Sequence, residues 1–374
     1  MRVVIAADKF KGSLSAAEVA EALGRGLAGA AASVTRVPVA DGGDGTLDAA
    51  LAAGHARVPV TVTGPTGAPV RTAYARRGTS AVVELADASG LLRLPSGLDP
   101  LGATTLGTGE LVSAAIADGC TDILLGVGGS CSTDGGAGIA VGLGARVLDA
   151  AGRPLAPGGG ALTGAATLDV RPLRARLHGV RVTLASDVDN PLLGPAGAAA
   201  VYGPQKGAGP DDVRILERGL TRWADLVATT TGTDRRADPG AGAAGGAGFG
   251  ALALLDAQVR SGVETVLGLV GFDDAVLGAD LVITGEGSLD EQSLRGKTPV
   301  GVLTAASRLG VPTIAVCGRT TLTPAELRGA GFAATWSLTD LEADPAVSMR
   351  DAARLLAAVG AEVGRALPDL TARR

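Results

Sequence analysis

The chain has 374 residues, a net charge of −5 and aromatic residues at only 2%. An acidic chain poor in aromatics lacks both the positive field that draws nucleic-acid backbones and the ring faces on which bases stack, so a nucleic-acid partner is excluded. The length supports two domains, each able to bury a core. Cys120, Cys131 and Cys317 lie far apart with no paired spacing, which predicts a reducing cytoplasm and no structural zinc. The apolar run Val3 to Ala7 is too short for a signal peptide and no run of ~18 apolar residues occurs. The expectation is a cytoplasmic protein with no membrane partner.

Val3 to Ala7 predicts a buried strand, and Ser15-Ala16-Ala17-Glu18 followed by Val19, Ala22, Leu23 and Leu27 predicts a capped helix. The loop between them, Asp8-Lys9-Phe10-Lys11-Gly12-Ser13-Leu14, suits a phosphate but lacks the spacing of a Walker A loop; solvated loop charges are the plain alternative. Thr35 to Ala40 reads as a second strand ending in Asp41-Gly42-Gly43-Asp44-Gly45-Thr46. Such glycine-flanked aspartates hold a metal or hydroxyl groups, or make an ordinary turn.

From Val58 the texture changes. Val58 to Thr63, Pro69 to Ala75 and Ser80 to Leu85 are short segments separated by turns, which predicts an antiparallel meander and a domain change. A helix over 106–118 and a strand over 122–127 lead to Gly128-Gly129-Ser130 and on to Asp134-Gly135-Gly136-Ala137-Gly138. That loop suits phosphates held by backbone amides, or close packing of helix on sheet.

Residues 145–177 carry turn and capping signals only. The strand Val180 to Ala185 delivers Asp187, Asp189 and Asn190, oxygen donors suited to Mg2+ or to accepting a hydroxyl proton, and Lys206 follows beside Gly207. The glycine-rich stretch 238–250 reads as a flexible linker or as a helix entry packed under a site. No dinucleotide fingerprint opens a βαβ unit, which counts against a nicotinamide enzyme.

Leu281 to Ile283 reads as a strand, and Thr284 to Pro299 as a polar loop carrying Glu286, Asp290, Gln292 and Lys297. Strand 313–317, helix 324–328 and strand 333–338 continue an α/β winding, closed by an amphipathic helix over 348–366. The two histidines, His55 and His178, sit in none of these loops. Acid–base chemistry therefore falls to carboxylates or lysines. Glycine loops, lysines and clustered carboxylates together make the parts list of phosphoryl transfer.

Five motifs in order carry a resemblance. They are Phe10-Lys11-Gly12-Ser13-Leu14-Ser15-Ala16; Ala40-Asp41-Gly42-Gly43-Asp44-Gly45-Thr46; Gly128-Gly129-Ser130 through Gly138; Asp187-Val188-Asp189-Asn190-Pro191-Leu192 with Gly203-Pro204-Gln205-Lys206-Gly207; and Thr284-Gly285-Glu286-Gly287 with Asp290, Gln292, Gly296 and Lys297. Over nearly its full length the chain resembles the bacterial glycerate kinases of the glycerate-catabolism type. It departs from their usual pattern at Asp44 (more usually Glu), Lys9 (Ser), Ser288 (often Arg) and Thr133 (often Asn).

The resemblance implies phosphorylation of D-glycerate by ATP with Mg2+, and 2-phosphoglycerate is favoured over 3-phosphoglycerate. It implies a two-domain α/β fold, with a Rossmann-like parallel-sheet domain at 1–60 plus 275–374 interrupted by a second α/β domain at 61–274, and substrates in a cleft between them. Asp187, Asp189 and Lys206 are the expected catalytic residues, with proton acceptor and metal ligand not separated between the two aspartates. Asp189, Glu286 and Asp290 are expected at the metal. Lys9, Lys11, Ser13, Asp41, Gly128, Gly129, Ser130, Asp134, Asn190, Gln292 and Lys297 are expected at substrate and phosphates. The alternatives are a kinase of another small hydroxy acid and a non-catalytic regulator that binds a sugar acid or phosphate; a homo-oligomer is left open.

Overall fold

The computed structural model describes residues 1–31 and 33–371. The chain forms two compact units, one of Met1–Asp41, Asp48–Ala53 and Val263–Arg374, the other of Gly42–Leu47 and Gly54–Gly262.

The first unit holds a five-stranded sheet in the order Thr335–Ser337, Thr313–Thr320, Leu281–Leu289, Arg2–Ala7, Ser33–Arg36, parallel throughout. Continuous apolar runs such as Val3 to Ala7 suit strands covered on both faces. One face packs Val3, Ile5 and Ala7 with Leu23, Leu356 and Val359 from the helices Ala16–Gly26 and Ala352–Thr371. These two helices approach so closely that a Cβ on Gly26 would lie 2.0 Å from the Ala357 carbonyl oxygen. The other face packs Val4, Ala6 and Val282 with Val302 and Ala306 of the helix Thr298–Arg308.

Two of the strands that differ from the sequence reading bear on the site. The strand read as 281–283 runs on to Leu289, because its pairing with Thr313–Thr320 continues through Ser288 opposite Arg319 and Leu289 opposite Thr320. Thr284 and Glu286 therefore stand in the sheet, not in a loop. The strand expected over 35–40 is Ser33–Arg36, although Val37 and Val39 still donate to the carbonyls of Ile5 and Ala7 at 2.8 and 3.3 Å and so carry Asp41 along the sheet edge. The final helix is divided into Pro345–Arg350 and Ala352–Thr371.

Gly285 has no room for a side chain: a Cβ there would lie 1.9 Å from the Val316 carbonyl oxygen. Overpacking of this kind costs about 1–3 kcal/mol or more. Gly285→Ala is expected to lower the unfolding free energy of the first unit, read from urea denaturation, by at least that cost, and an unchanged value would contradict the close approach.

The second unit holds a six-stranded mixed sheet in the order Gln258–Arg260, Arg181–Ala185, Asp122–Gly126, Ser80–Glu84, Pro69–Arg77, Ala56–Thr63. The last three form the antiparallel meander, and the first four run parallel. The helix expected over 106–118 is Leu106–Ala117. The glycine-rich stretch is no linker: it leads into the buried helix Ala243–Leu254, entered through Ala244, Gly245 and Gly246 at φ 54, 70 and 87°. Glycine is required here because backbone meets backbone. A Cβ on Gly245 would lie 2.1 Å from the Ser132 carbonyl oxygen, and one on Gly136 would lie 2.9 Å from Gly250 Cα. Among the described residues no helix is long and apolar enough to cross a membrane.

Candidate active site

In the first unit, neighbouring strands bring two carboxylates to the carboxyl end of the sheet. Ala7 stands opposite Gly285, and the amide of Asp8 donates to the Gly285 carbonyl at 2.8 Å, which sets Asp8 beside Glu286. Asp8 is 6% exposed. Its Oδ2 accepts the Thr298 hydroxyl at 2.9 Å, its Oδ1 accepts the Lys9 amide at 2.7 Å, and the Lys9 ammonium stands 3.7 Å away. Burial raises the Asp8 carboxyl to about 6, with Lys9 opposing and Asp41 adding. Burial also lifts Glu286 to about 7; the Ser293 hydroxyl and Lys297 oppose, while Asp8 and Asp290 add. Glu286 Oε1 is buried with no hydrogen-bond partner among the described residues.

Around this pair stand most of the residues expected in this unit. The loop at Phe10 and Lys11 packs against Gly287, with the Lys11 side chain exposed. Lys297 Nζ donates to Gln292 Oε1 at 3.3 Å. Asp290 Oδ1 accepts the amides of Gln292 and Ser293 at 2.8 and 3.2 Å, so it shapes a turn. The Ser13 hydroxyl donates to the Met349 carbonyl at 2.6 Å.

In the second unit the carboxyl ends of parallel strands carry a separate polar group. The Gly42-Gly43 turn lies against the strand end at Gly126 and Gly128, where a Cβ on Gly128 would lie 2.5 Å from Gly43 Cα. Glu84 holds this segment by accepting the amides of Gly45 and Leu47 at 3.1 and 2.9 Å. Asp187 and Asp189 are exposed, and the Gly262 amide donates to Asp187 Oδ1 at 2.9 Å. Asn190 is engaged on both sides: its Nδ2 donates to the Ala196 carbonyl at 2.8 Å, and its Oδ1 accepts the Tyr202 hydroxyl at 2.6 Å. Burial and then Asp189 push the Tyr202 phenol up.

Two expected site residues, Lys206 from the catalytic set and Asp134 from the phosphate set, are built into the interior. Lys206 is 2% exposed, and its ammonium donates to Ser130 Oγ at 2.7 Å and to the Ser132 carbonyl at 2.5 Å. Burial pulls it down to about 8, against the charges of Cys131 and Asp134. Asp134 is 1% exposed; it accepts the amides of Thr105, Gly136 and Gly138 at 2.8, 3.1 and 3.2 Å and the hydroxyls of Thr104 and Thr105. It is the knot that ties the glycine loop to the start of the helix Leu106–Ala117.

Gly128 and Gly129, by contrast, are partly or fully exposed, so their backbone is open to a ligand. Among the described residues no three His, Cys, Asp or Glu side chains form a group able to hold a metal ion.

Sequence reasoning missed Asp8 and Glu84. Both directly follow or end a strand of a parallel pair, the position that singled out Asp187, and that rule applied evenly would have found them.

The model of the glycerate kinase family matches residues 3–368. A glycerate kinase of Bacillus subtilis (strain 168) is 46% identical over 324 residues, 85% of each chain, and a glycerate 2-kinase of Escherichia coli (strain K12) is 41% identical over 86% of each. The crystal structure of a protein from Salmonella typhimurium LT2, described as a glycerate kinase 2, superposes with a TM-score of 0.84 at 40% identity, covering 99% of this chain and 98% of that one. With the family model matched over nearly the whole length and these relatives at 40% identity or more, the chain belongs to the glycerate kinase family.

Proposed function

We propose that this protein transfers the γ-phosphoryl group of ATP to the 2-hydroxyl of D-glycerate in the cytoplasm, releasing ADP. The family match over residues 3–368 carries the reading, and the name of the Escherichia coli relative supports the 2-position. Asp187 takes the hydroxyl proton as the new oxygen–phosphorus bond forms and the bond from the γ-phosphorus to the β,γ-bridging oxygen breaks. The Gly262 amide on its Oδ1 fixes the direction of that carboxylate. Lys11 and Lys297 supply positive charge to the phosphates, and the open backbone at Gly128 and Gly129 supplies donors.

Lys206, Asp134, Asn190 and Ser13 act by position, because their polar atoms are already engaged within the protein. Mg2+ fits Glu286, whose buried Oε1 has no other partner, and Mg2+ needs only one or two carboxylates beside phosphates and water. When bound, it would neutralise charge on the phosphate oxygens.

Coupled detection of ADP with ATP and D-glycerate is the test, followed by phosphorus NMR of the product. ADP is expected only when glycerate is present, and the product phosphorus is expected as a doublet from the single methine proton. A triplet would move the phosphate to the 3-hydroxyl. Glycerate binding without ADP release would make the protein a regulator, and turnover of a different hydroxy acid alone would change the substrate.

A further inference from the structure

We infer that Asp8 and Glu286 together form a two-carboxylate site for a divalent cation, with the Thr284 hydroxyl as a third oxygen at its floor. The inference rests on the phosphoryl-transfer reading for the purpose of the ion, while the site itself is argued from geometry.

Alternate residues of a strand point to one face of its sheet. Val4 and Ala6 share a face with Val282, all three in one apolar cluster, and Thr284 stands opposite Ala6. Continuing both strands by two residues puts Asp8 and Glu286 on that same face at its carboxyl end, with Thr284 directly behind them. Thr284 is completely buried, and among the described residues neither its hydroxyl nor Glu286 Oε1 has a hydrogen-bond partner. Burying polar oxygens without a donor is costly, and two of them on alternate residues of one strand face, beside a second buried carboxylate, ask for a positive ligand.

Asp8 is held ready for that task. Thr298 and the Lys9 amide each use one lone pair, one on each carboxylate oxygen, so the direction of the group is fixed and an acceptor site remains on both oxygens. Asp41 adds its charge nearby. Asp290, expected from the sequence as the partner of Glu286, fits less well because its Oδ1 already receives two turn amides. The eleven-residue helix Thr298–Arg308 begins beside Asp8. An anion bridged to the cation would therefore meet the positive end of a helix, the arrangement that suits a metal–phosphate complex.

The test is a titration of the full chain with Mn2+ alone, reading free Mn2+ by electron paramagnetic resonance. The wild type is expected to bind one Mn2+. Asp8→Asn and Glu286→Gln are each expected to weaken binding by about 10-fold or more, the scale set by residues that support metal ligands, whereas Asp290→Asn stays close to wild type. Thermal melts establish that each variant is folded; if Asp8→Asn is not, Asp8→Glu, which keeps the charge and displaces the oxygens, is read by the same criterion. Wild-type affinity in the folded Asp8 variant, or no Mn2+ binding by the wild type, overturns the site. The ADP assay separates the two readings. Wild-type turnover with unweakened Mn2+ binding in the Asp8 variant sinks only the cation site, and weakened binding in a protein that never turns over sinks only the kinase reading.

Discussion

Asp187→Asn is expected to lower kcat by about 10²–10⁴-fold, the usual contribution of a positioned proton acceptor. The Gly262 amide donates to Asp187 Oδ1 at 2.9 Å, and the amide group of asparagine offers an oxygen to the same donor, so the loop and the KM for glycerate are expected to change little. The loss should sit in kcat because only the step that moves the proton is affected. Asp189→Asn serves as the comparison: Asp189 stands exposed near Tyr202 and among the described residues has no bond of the kind that orients Asp187, and a smaller loss is expected there. Steady-state kinetics of the two variants decides the assignment, and near-normal turnover of Asp187→Asn removes it from the chemical step.

Lys206→Met is expected to cost about 10²-fold or more in kcat, on the scale of a lost preorganised donor, while leaving a folded protein. The Lys206 ammonium draws Ser130 Oγ and the Ser132 carbonyl together beneath the glycine loop, so its removal releases that loop. The stability signature has a definite sign. The folded-state value is about 8, against 10.5 for the free side chain. Between these two the unfolded chain holds the extra proton, so unfolding becomes harder as pH rises through that window, by on the order of 3 kcal/mol at most. Methionine has no proton to lose. Urea midpoints at pH 8 and pH 10.5 should therefore rise further for the wild type than for Lys206→Met, and equal changes would mean that Lys206 is not the desolvated group described.

The strands and the α/β class are legible in the sequence because apolar runs such as Val3 to Ala7 and Thr313 to Cys317 carry a local signal. The far end of the 281–289 strand is not, since Thr284 and Glu286 are polar and only the neighbouring strand shows that pairing continues past them. Glycines defeat pattern reading for a related reason. The stretch 238–250 looks like a linker until its partner, the loop at Ser132 to Gly136, shows what its missing side chains make room for.

At the site, residue types were readable and their present bonds were not. Asp134 and Lys206 have the right chemistry for a ligand, yet each is engaged by groups far away in sequence. Asp8 looked like the first residue of a loop, and the hydroxyl that orients it belongs to Thr298, at the other end of the chain.

The pairing of Arg2–Ala7 with Leu281–Leu289 also sets a timetable for synthesis. The first strand leaves the ribosome early, but its central partner is not made until residue 281, a delay of roughly 15–55 s at ~5–20 residues per second. Until then its backbone edge toward that partner stays unpaired and its apolar faces are not yet covered from that side, while the residues of the second unit emerge and can collapse on their own core. Slower translation across the stretch before Leu281 would lengthen this exposure, and a nascent chain halted there would hold the hydrophobic strand that chaperones bind.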